Sequence, residues 1–318
     1  MKIGLDVMGG DYSPVATLEG AILAQERISS SDRIFLFGPQ ELIEDMLAER
    51  KADKSLFTIV HSPEVIGMGE RPIKAYTHKP NSSISMGFKH LKSKQIDAFS
   101  SAGNSGASMV GAMYSINNIQ GVIRPSTLTA IPRENGGMNV MLDIGTNPDI
   151  KPDILYQFAI LGSIYSQSVL SVKNPKVGLL NIGEEEEKGN LLCQSAFRLM
   201  RDSDDFNFFG NIEGRDLFKD KVDVIVCDGF TGNIVLKQIE AIYRLMVKRN
   251  LVDEYIKKFN YENYGGSPIL GVNGSVVIGH GISSSKAIMN MVLLSKEIHE
   301  AKLTKKIKRA MNKYIQSK

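Results

Sequence analysis

Seven short apolar runs govern what this chain can become: KIGLDV, RIFLFG, FTIVH, IDAFSS, NVMLDIG, KVGLLNIG and KVDVIVCDG. Each is too short for a stable helix, rich in β-branched residues, and bounded by Gly, Asp or Ser. Such runs are strands buried on both faces of a mainly parallel sheet. Between them lie amphipathic stretches at residues 14–28, 40–50 and 152–171, with Ser13-Pro14 read as an N-cap and first-turn pair. The alternation predicts an α/β fold, a three-layer α/β/α sandwich. With no linker, repeat or low-complexity segment, residues 1–318 read as a single extended domain.

Composition narrows the function classes. The 318 residues are 42% hydrophobic and 23% charged, ordinary for a globular protein. A net charge of +3 is too small to argue for nucleic acid. The two cysteines, Cys193 and Cys227, have no CxxC spacing, which argues against a disulfide framework or a zinc site and suits a reducing compartment. The first residues read as a strand entering a turn, not as a signal peptide. No apolar run is long enough to span a membrane. Residues 301–318 carry many cations and no acid, with Leu303, Ile307, Met311 and Ile315 near helical spacing. They read as a basic C-terminal helix, whose apolar stripe docks on the body or which meets an acidic partner or a membrane surface.

Parallel sheets bind ligands beyond the C-terminal ends of their strands. Those ends read DVMGGD, SSAGNSGA, DIGTNPD, NIGEEEEKGN, CDGFTGN and GHGISSS. Glycine lets the backbone approach a ligand, and the N–H groups of a following helix favour an anion. Ser101, Asn104 and Ser105 add donors without bulk, so SSAGNSGA suits a tetrahedral anion or, equally, a capped βα turn. Lys188 can present charge to phosphate or to a developing oxyanion, or be a surface lysine. Asn233 can donate into the same edge, or cap a helix from Ile234 onward. His280 is a donor, a base or a hydrogen-bonded loop residue.

Familiar catalytic signatures are absent. There is no GxSxG elbow, HExxH, GxGxxG fingerprint or Walker loop, and no carboxylate–histidine cluster has metal spacing. An enzyme of this kind would take its nucleophile from the substrate.

The ordered set DVMGGDYSP, SSAGNSGA, DIGTNPDIKP, YSQSV, VGLLNIGEEEEKGN, CDGFTGNIVLK and NYGGSPILG resembles the bacterial phosphate acyltransferase family, from the first strand to about Ala301. The resemblance implies a fold similar to the isocitrate dehydrogenase and phosphotransacetylase group. It implies attack of inorganic phosphate on the thioester of acyl carrier protein, giving acyl phosphate for phospholipid synthesis with no metal or organic cofactor. Lys188 and Asn233 fall on positions that look catalytic. Asp6, Gly9, Gly10, Lys79, Ser82, Ser101, Gly103, Asn104, Ser105, Gly106, Asp143, Asn147, Asp228, Thr231 and His280 fall on phosphate- or substrate-binding positions. The family is homodimeric, cytoplasmic and peripherally membrane-associated, and hands its product to a membrane glycerol-3-phosphate acyltransferase. No nucleic acid partner is implied.

Two departures stand out. Thr77 and His78 occupy positions where the family usually carries arginines, while Lys79, Ser82 and Ser83 remain. Residues 238–262 read as a shortened form of the helical segment tied to dimer packing and membrane contact. Lys248, Arg249, Lys257 and Lys258 are candidate contacts for an acidic carrier protein. Two other readings stay open from sequence: a nicotinamide-dependent decarboxylating dehydrogenase and a non-catalytic adaptor.

Overall fold

The computed structural model describes residues 1–316; the last two residues of the basic tail lie outside the described residues. The chain runs β1 (Lys2–Asp6), α1 (Val15–Gln25), β2 (Arg33–Gly38), α2 (Gln40–Glu49), β3 (Phe57–His61), α3 (Pro72–His78), α4 (Ser83–Lys92), β4 (Ala98–Ser101) and α5 (Ser105–Gly111). It continues β5 (Ser126–Pro132), β6 (Met138–Leu142), α6 (Pro152–Ser168), β7 (Lys176–Leu180), α7 (Leu191–Met200), β8 (Asn207–Ile212), β9 (Val224–Val226) and α8 (Gly229–Lys248). Last come β10 (Ser267–Leu270), β11 (Ser275–Ile278), α9 (Ser285–Glu300) and α10 (Leu303–Gln316). These elements gather into two compact units: residues 1–118 with 261–300, and residues 119–260 with the chain from 301 onward.

Unit 1 has strand order β3-β2-β1-β4-β11-β10. All pairs are parallel except β10 with β11. Successive strand residues point to opposite faces, and β4 shows what each face holds. The Phe99 ring packs edge-on against Phe88 of α4, centroids 5.1 Å apart. Its neighbour Ser100 exchanges a 2.6 Å hydrogen bond with Ser295 of α9. Helices therefore cover both faces, as a three-layer arrangement requires. The approach of α4 depends on Gly87, where a Cβ would stand 2.0 Å from the Phe99 ring.

Unit 2 has strand order β5-β6-β9-β7-β8, parallel except for β5 with β6. Val224 of β9 faces α6, where Gly162 leaves it room. The next residue, Ile225, joins the opposite cluster with Met141 and Ile212, against Val235 and Ile239 of α8. Leu303, Ile307 and Met311 of α10 are buried as expected, but Ile315 is exposed; Tyr314 completes the stripe instead and stacks on Tyr156 of α6.

The first helix starts differently from the Ser13-Pro14 expectation. Pro14 itself stands at the N-cap with no side-chain cap bond. The Ser13 hydroxyl is drawn back to the Met8 and Gly10 carbonyls, at 3.0 and 2.7 Å. Residues 238–262 comprise the second half of α8 followed by short 3₁₀ turns at Ile256–Phe259 and Tyr261–Asn263. No helix among the described residues is long and apolar enough to cross a membrane.

Candidate active site

In unit 2 three strands end in register, with Leu142, Val226 and Leu179 paired across β6, β9 and β7. Three loops therefore emerge side by side from one sheet edge. Their sequences are DIGTN, CDGFTGN and NIGEEEEKGN, the polar exits of an otherwise apolar layer.

The β6 exit is organised by Asp143, which is fully buried. Its Oδ1 accepts from the Thr127 N–H and hydroxyl, both at 3.2 Å, and from the Ile144 N–H at 2.8 Å and the Thr146 N–H at 3.4 Å. Its Oδ2 accepts from the Asn147 N–H and side-chain amide at 2.6 and 2.9 Å. A carboxylate surrounded by donors in this way shapes a loop rather than meeting an anionic substrate. Asn147 extends the wiring through its second amide hydrogen, donated to the Pro125 carbonyl.

The β9 exit opens α8. Asp228 is the N-cap, accepting from both the Thr231 N–H and hydroxyl at 2.8 Å. The Gly229 N–H donates to the Asn147 carbonyl at 2.8 Å, tying this loop to the previous one. Asn233 lies in the second turn of α8, so Asp228 rather than Asn233 caps the helix. The Asn233 amide donates to the Ile144 carbonyl at 3.2 Å. An amide has two hydrogens, so one remains for a ligand. Gly232 makes this closeness possible, since a Cβ there would stand 1.9 Å from the Asp143 carbonyl oxygen.

The β7 exit carries Lys188. Asn181, which the motif reading passed over, holds this loop by donating to the Lys188 carbonyl at 3.1 Å and accepting from the Ile182 N–H. Gly189 has φ 87°, and a side chain there would collide with Asn181. Asn190 then caps α7, its side chain accepting from the Cys193 N–H. Of the neighbouring glutamates, Glu184 is paired with Lys221 and Glu186 with Arg201. Lys188 itself is exposed, and among the described residues its ammonium has no acidic partner.

Unit 1 assembles its own strand-end cluster. Leu5, Ser100 and Val277 are in register, so β1, β4 and β11 also end together. Buried Asp6 accepts from the Ser101 hydroxyl at 2.7 Å and the Met8 N–H at 3.0 Å. Burial pushes its carboxyl above the ordinary value, against hydrogen bonds from Ser83, Ser101 and the Met8 N–H. Ser101 in turn accepts from the Gly103 N–H. Gly9 packs against Asp6 and Gly103, while Gly10, at φ 107°, lies close to the Gly281 carbonyl.

Asn104 caps α5, accepting from the Ala107 N–H and donating to the Gly67, Met68 and Glu70 carbonyls. It is a structural clasp on the 67–70 loop. Ser105 is exposed and Gly106 half-buried at the start of α5. Lys79 is engaged by Glu70 at 2.5 Å and by the Val65 carbonyl at 2.8 Å. Buried Ser82 caps α4 and donates to Ser85 at 2.8 Å. His280 packs on the Tyr261 ring, centroids 4.9 Å apart. Thr77 and His78 direct their side chains to the carbonyls of their own helix.

Neither thiol is poised for attack. Burial, then Asp228 and Asp143, pushes Cys227 well above its ordinary value. Burial, then Asp228, raises Cys193. At neutral pH both are protonated and poor nucleophiles.

Glu184, Glu213 and Asp216 bring ligand atoms within 4.8 Å of one another. Three cations already engage them: Lys219 and Lys221 on Asp216, Lys221 on Glu184, and Arg215 on Glu213. Burial opposes ionisation of Asp216, but hydrogen bonds from Lys219, the Glu213 N–H and Lys221 outweigh it and hold the carboxyl at about 2. A carboxyl so lowered contributes about 2 kcal/mol of stability. That contribution is present above pH ~3.8, the unfolded value, and is lost as pH falls through about 2. Urea titrations of Asp216→Asn should show a deficit of about 2 kcal/mol near neutrality that narrows below pH ~4. A gap of constant size down to pH ~2 would contradict this account.

A family model described as fatty acid synthesis protein matches residues 1–249. A phosphate acyltransferase from Dictyoglomus turgidum is 41% identical, the match covering 98% of each chain. The chain belongs to the phosphate acyltransferase family. Phosphate acyltransferases from Salinibacter ruber and Clostridium perfringens are 40% and 38% identical over nearly their whole lengths. The EutD phosphotransacetylase from Staphylococcus aureus, 15% identical, has the same fold, with a TM-score of 0.64 over 94% of both chains. A branched-chain phosphotransacylase from Enterococcus faecalis, 12% identical, follows at 0.63, covering 94% of this chain and 99% of its own. As a member of the phosphate acyltransferase family, the chain is an acyltransferase.

Proposed function

We propose that the chain transfers a fatty acyl group from the thioester of acyl carrier protein to inorganic phosphate. A phosphate oxygen attacks the carbonyl carbon, a C–O bond forms, and the C–S bond breaks. Acyl phosphate and free carrier protein leave, and the proton of hydrogen phosphate ends on the departing sulfur. The observation that carries this reading is the Lys188 ammonium, without an acidic partner among the described residues, at the same strand-end edge as the Asn233 amide, where both thiols are protonated. A site with charge and donors but no nucleophile of its own suits a substrate that supplies one. Lys188 steadies phosphate or the developing oxyanion, and Asn233 donates to the tetrahedral intermediate.

The wider reading follows the family. The enzyme acts as a cytoplasmic homodimer, touches the membrane peripherally, and supplies acyl phosphate to a membrane glycerol-3-phosphate acyltransferase. Exposed Ile234, Ile242 and Leu245 on α8 support self-association through that helix. Exposed Lys248 and Arg249 support contact with an acidic carrier protein, whereas Lys257 is taken up by Glu254.

Incubation with acyl carrier protein thioester should release free carrier protein only when phosphate is present, with an acyl product trapped by hydroxylamine. Arsenate in place of phosphate should give net hydrolysis. Thioester cleavage indifferent to phosphate would sink the reading.

A further inference from the structure

Lys188 follows four glutamates in a row, Glu184 to Glu187, all exposed and outside any helix or strand. Such a run repels itself, and ion pairs to Lys221 and Arg201 engage only Glu184 and Glu186 among the described residues. Three side-chain amides from separate parts of unit 2 hold its carbonyls instead. Asn181, just past β7, donates to the Lys188 carbonyl at 3.1 Å. Gln194, one turn into α7, spends both amide hydrogens on the Glu187 and Gly189 carbonyls, at 2.8 and 3.0 Å. Asn211 of β8 donates to the Glu185 carbonyl at 2.8 Å. Of the carbonyls from Glu185 to Gly189, only that of Glu186 lies outside this grip.

The shape of β8 makes the third contact. Phe208 packs edge-on against Phe197 of α7, centroids 5.3 Å apart, whereas Ile212 joins the apolar cluster against α8. Residues four apart on a regular strand share a face. The register against β7 steps from Phe208 to Gly210, passing over Phe209, and Gly210 has φ 121°. This bulge reverses the faces beyond it, so Asn211 points to the α7 side. Asn211 is also 3% exposed, and its Oδ1 has no hydrogen-bond partner among the described residues. A buried amide half used costs stability that an apolar side chain of similar shape does not.

We propose that Asn181, Gln194 and Asn211 are positioning residues, which fix the backbone of the 184–189 loop and through it the Lys188 ammonium. Neutral amides suit the task, since a carboxylate would pair with Lys188 and a cation would compete for the same anion. The Lys188 stem lies on Gly183, where a Cβ would stand 2.8 Å from its Cγ. The proposal rests on the functional reading above for what Lys188 does, and on geometry alone for how it is held.

Asn211→Leu in the full chain is the test. Phosphate-dependent thioester cleavage should fall roughly 10- to 100-fold in kcat, with the KM for the thioester unchanged and the unfolding midpoint at or above the parent's. In a Lys188→Ala background the same substitution should cost nothing further, because it acts through Lys188. A glutamyl endopeptidase supplies a readout that needs no activity. Nicking at residues 184–187 should quicken about tenfold in Asn211→Leu and in Gln194→Met. Parental turnover in Asn211→Leu, equal losses in both backgrounds, a midpoint that drops with turnover, or unchanged nicking overturns the proposal. A parent chain that cleaves no thioester fails the functional reading, while nicking still decides how the loop is held.

Discussion

Lys188→Ala slows phosphate-dependent thioester cleavage by about 10²–10³-fold while the unfolding midpoint stays where it was. The separation of the two effects follows from geometry. The Lys188 ammonium is exposed and has no acidic partner among the described residues, so its removal strands no buried group. Asn181 grips the backbone carbonyl of Lys188, which alanine retains. The loop therefore keeps its course and only the charge is lost. Asn233→Ala should fall by a similar factor, since it deletes one donor from the strand-end edge. The loss should appear in kcat for Asn233, whose donor acts on the intermediate, and partly in the KM for phosphate for Lys188. A Lys188→Ala enzyme turning over at the parental rate would remove this residue from the site.

Asp143→Ala is expected to be the costliest substitution for stability, about 3–5 kcal/mol by urea unfolding. The carboxylate accepts from Thr127, Ile144, Thr146 and Asn147, and the whole cluster is buried or nearly so. Alanine would leave those donors without acceptors in a place water does not reach. Asp143→Asn should recover only part of the loss, because its amide nitrogen would face N–H groups. Both variants should also impair turnover, since the Ile144 carbonyl that orients Asn233 belongs to the loop Asp143 shapes. A small stability loss with intact turnover would show that the loop holds its form without the carboxylate.

What could be read from sequence depended on whether a residue's role was local. RIFLFG and FTIVH are strands at the residues expected, but only RIFLFG is largely buried. FTIVH is the edge strand, with Phe57 alone buried, and not a strand covered on both faces. β5, STLTAIP, escaped notice because it alternates and ends in Pro132, and it proves to be antiparallel. β10 and β11 are four residues each, and β10 contains Pro268, so neither gives a periodic signal. Glycine-rich loops at strand ends were visible for the same local reason. Their wiring was not. That Asn104 clasps the 67–70 loop, that Glu70 takes Lys79, and that Asp143 gathers donors from β5 are all long-range facts. Asn233 illustrates the limit: its place in the second turn of α8 follows from the cap chosen by Asp228, five residues earlier.

The division of the chain into two interleaved units has a consequence for biosynthesis. Unit 1 needs β11 beside β4, yet the whole of residues 119–260 emerges between them. Throughout that interval the nascent protein carries β4 with one edge open, a row of amides and carbonyls able to capture a stray strand. Unit 2 is equally unfinished until α10 supplies Leu303, Ile307, Met311 and Tyr314. Unit 1 therefore has all its elements once β11 and α9 have emerged, and unit 2 only after α10 has followed them. Chaperone dependence during synthesis, and a refolding yield that falls steeply with protein concentration, are the expected costs of that threading.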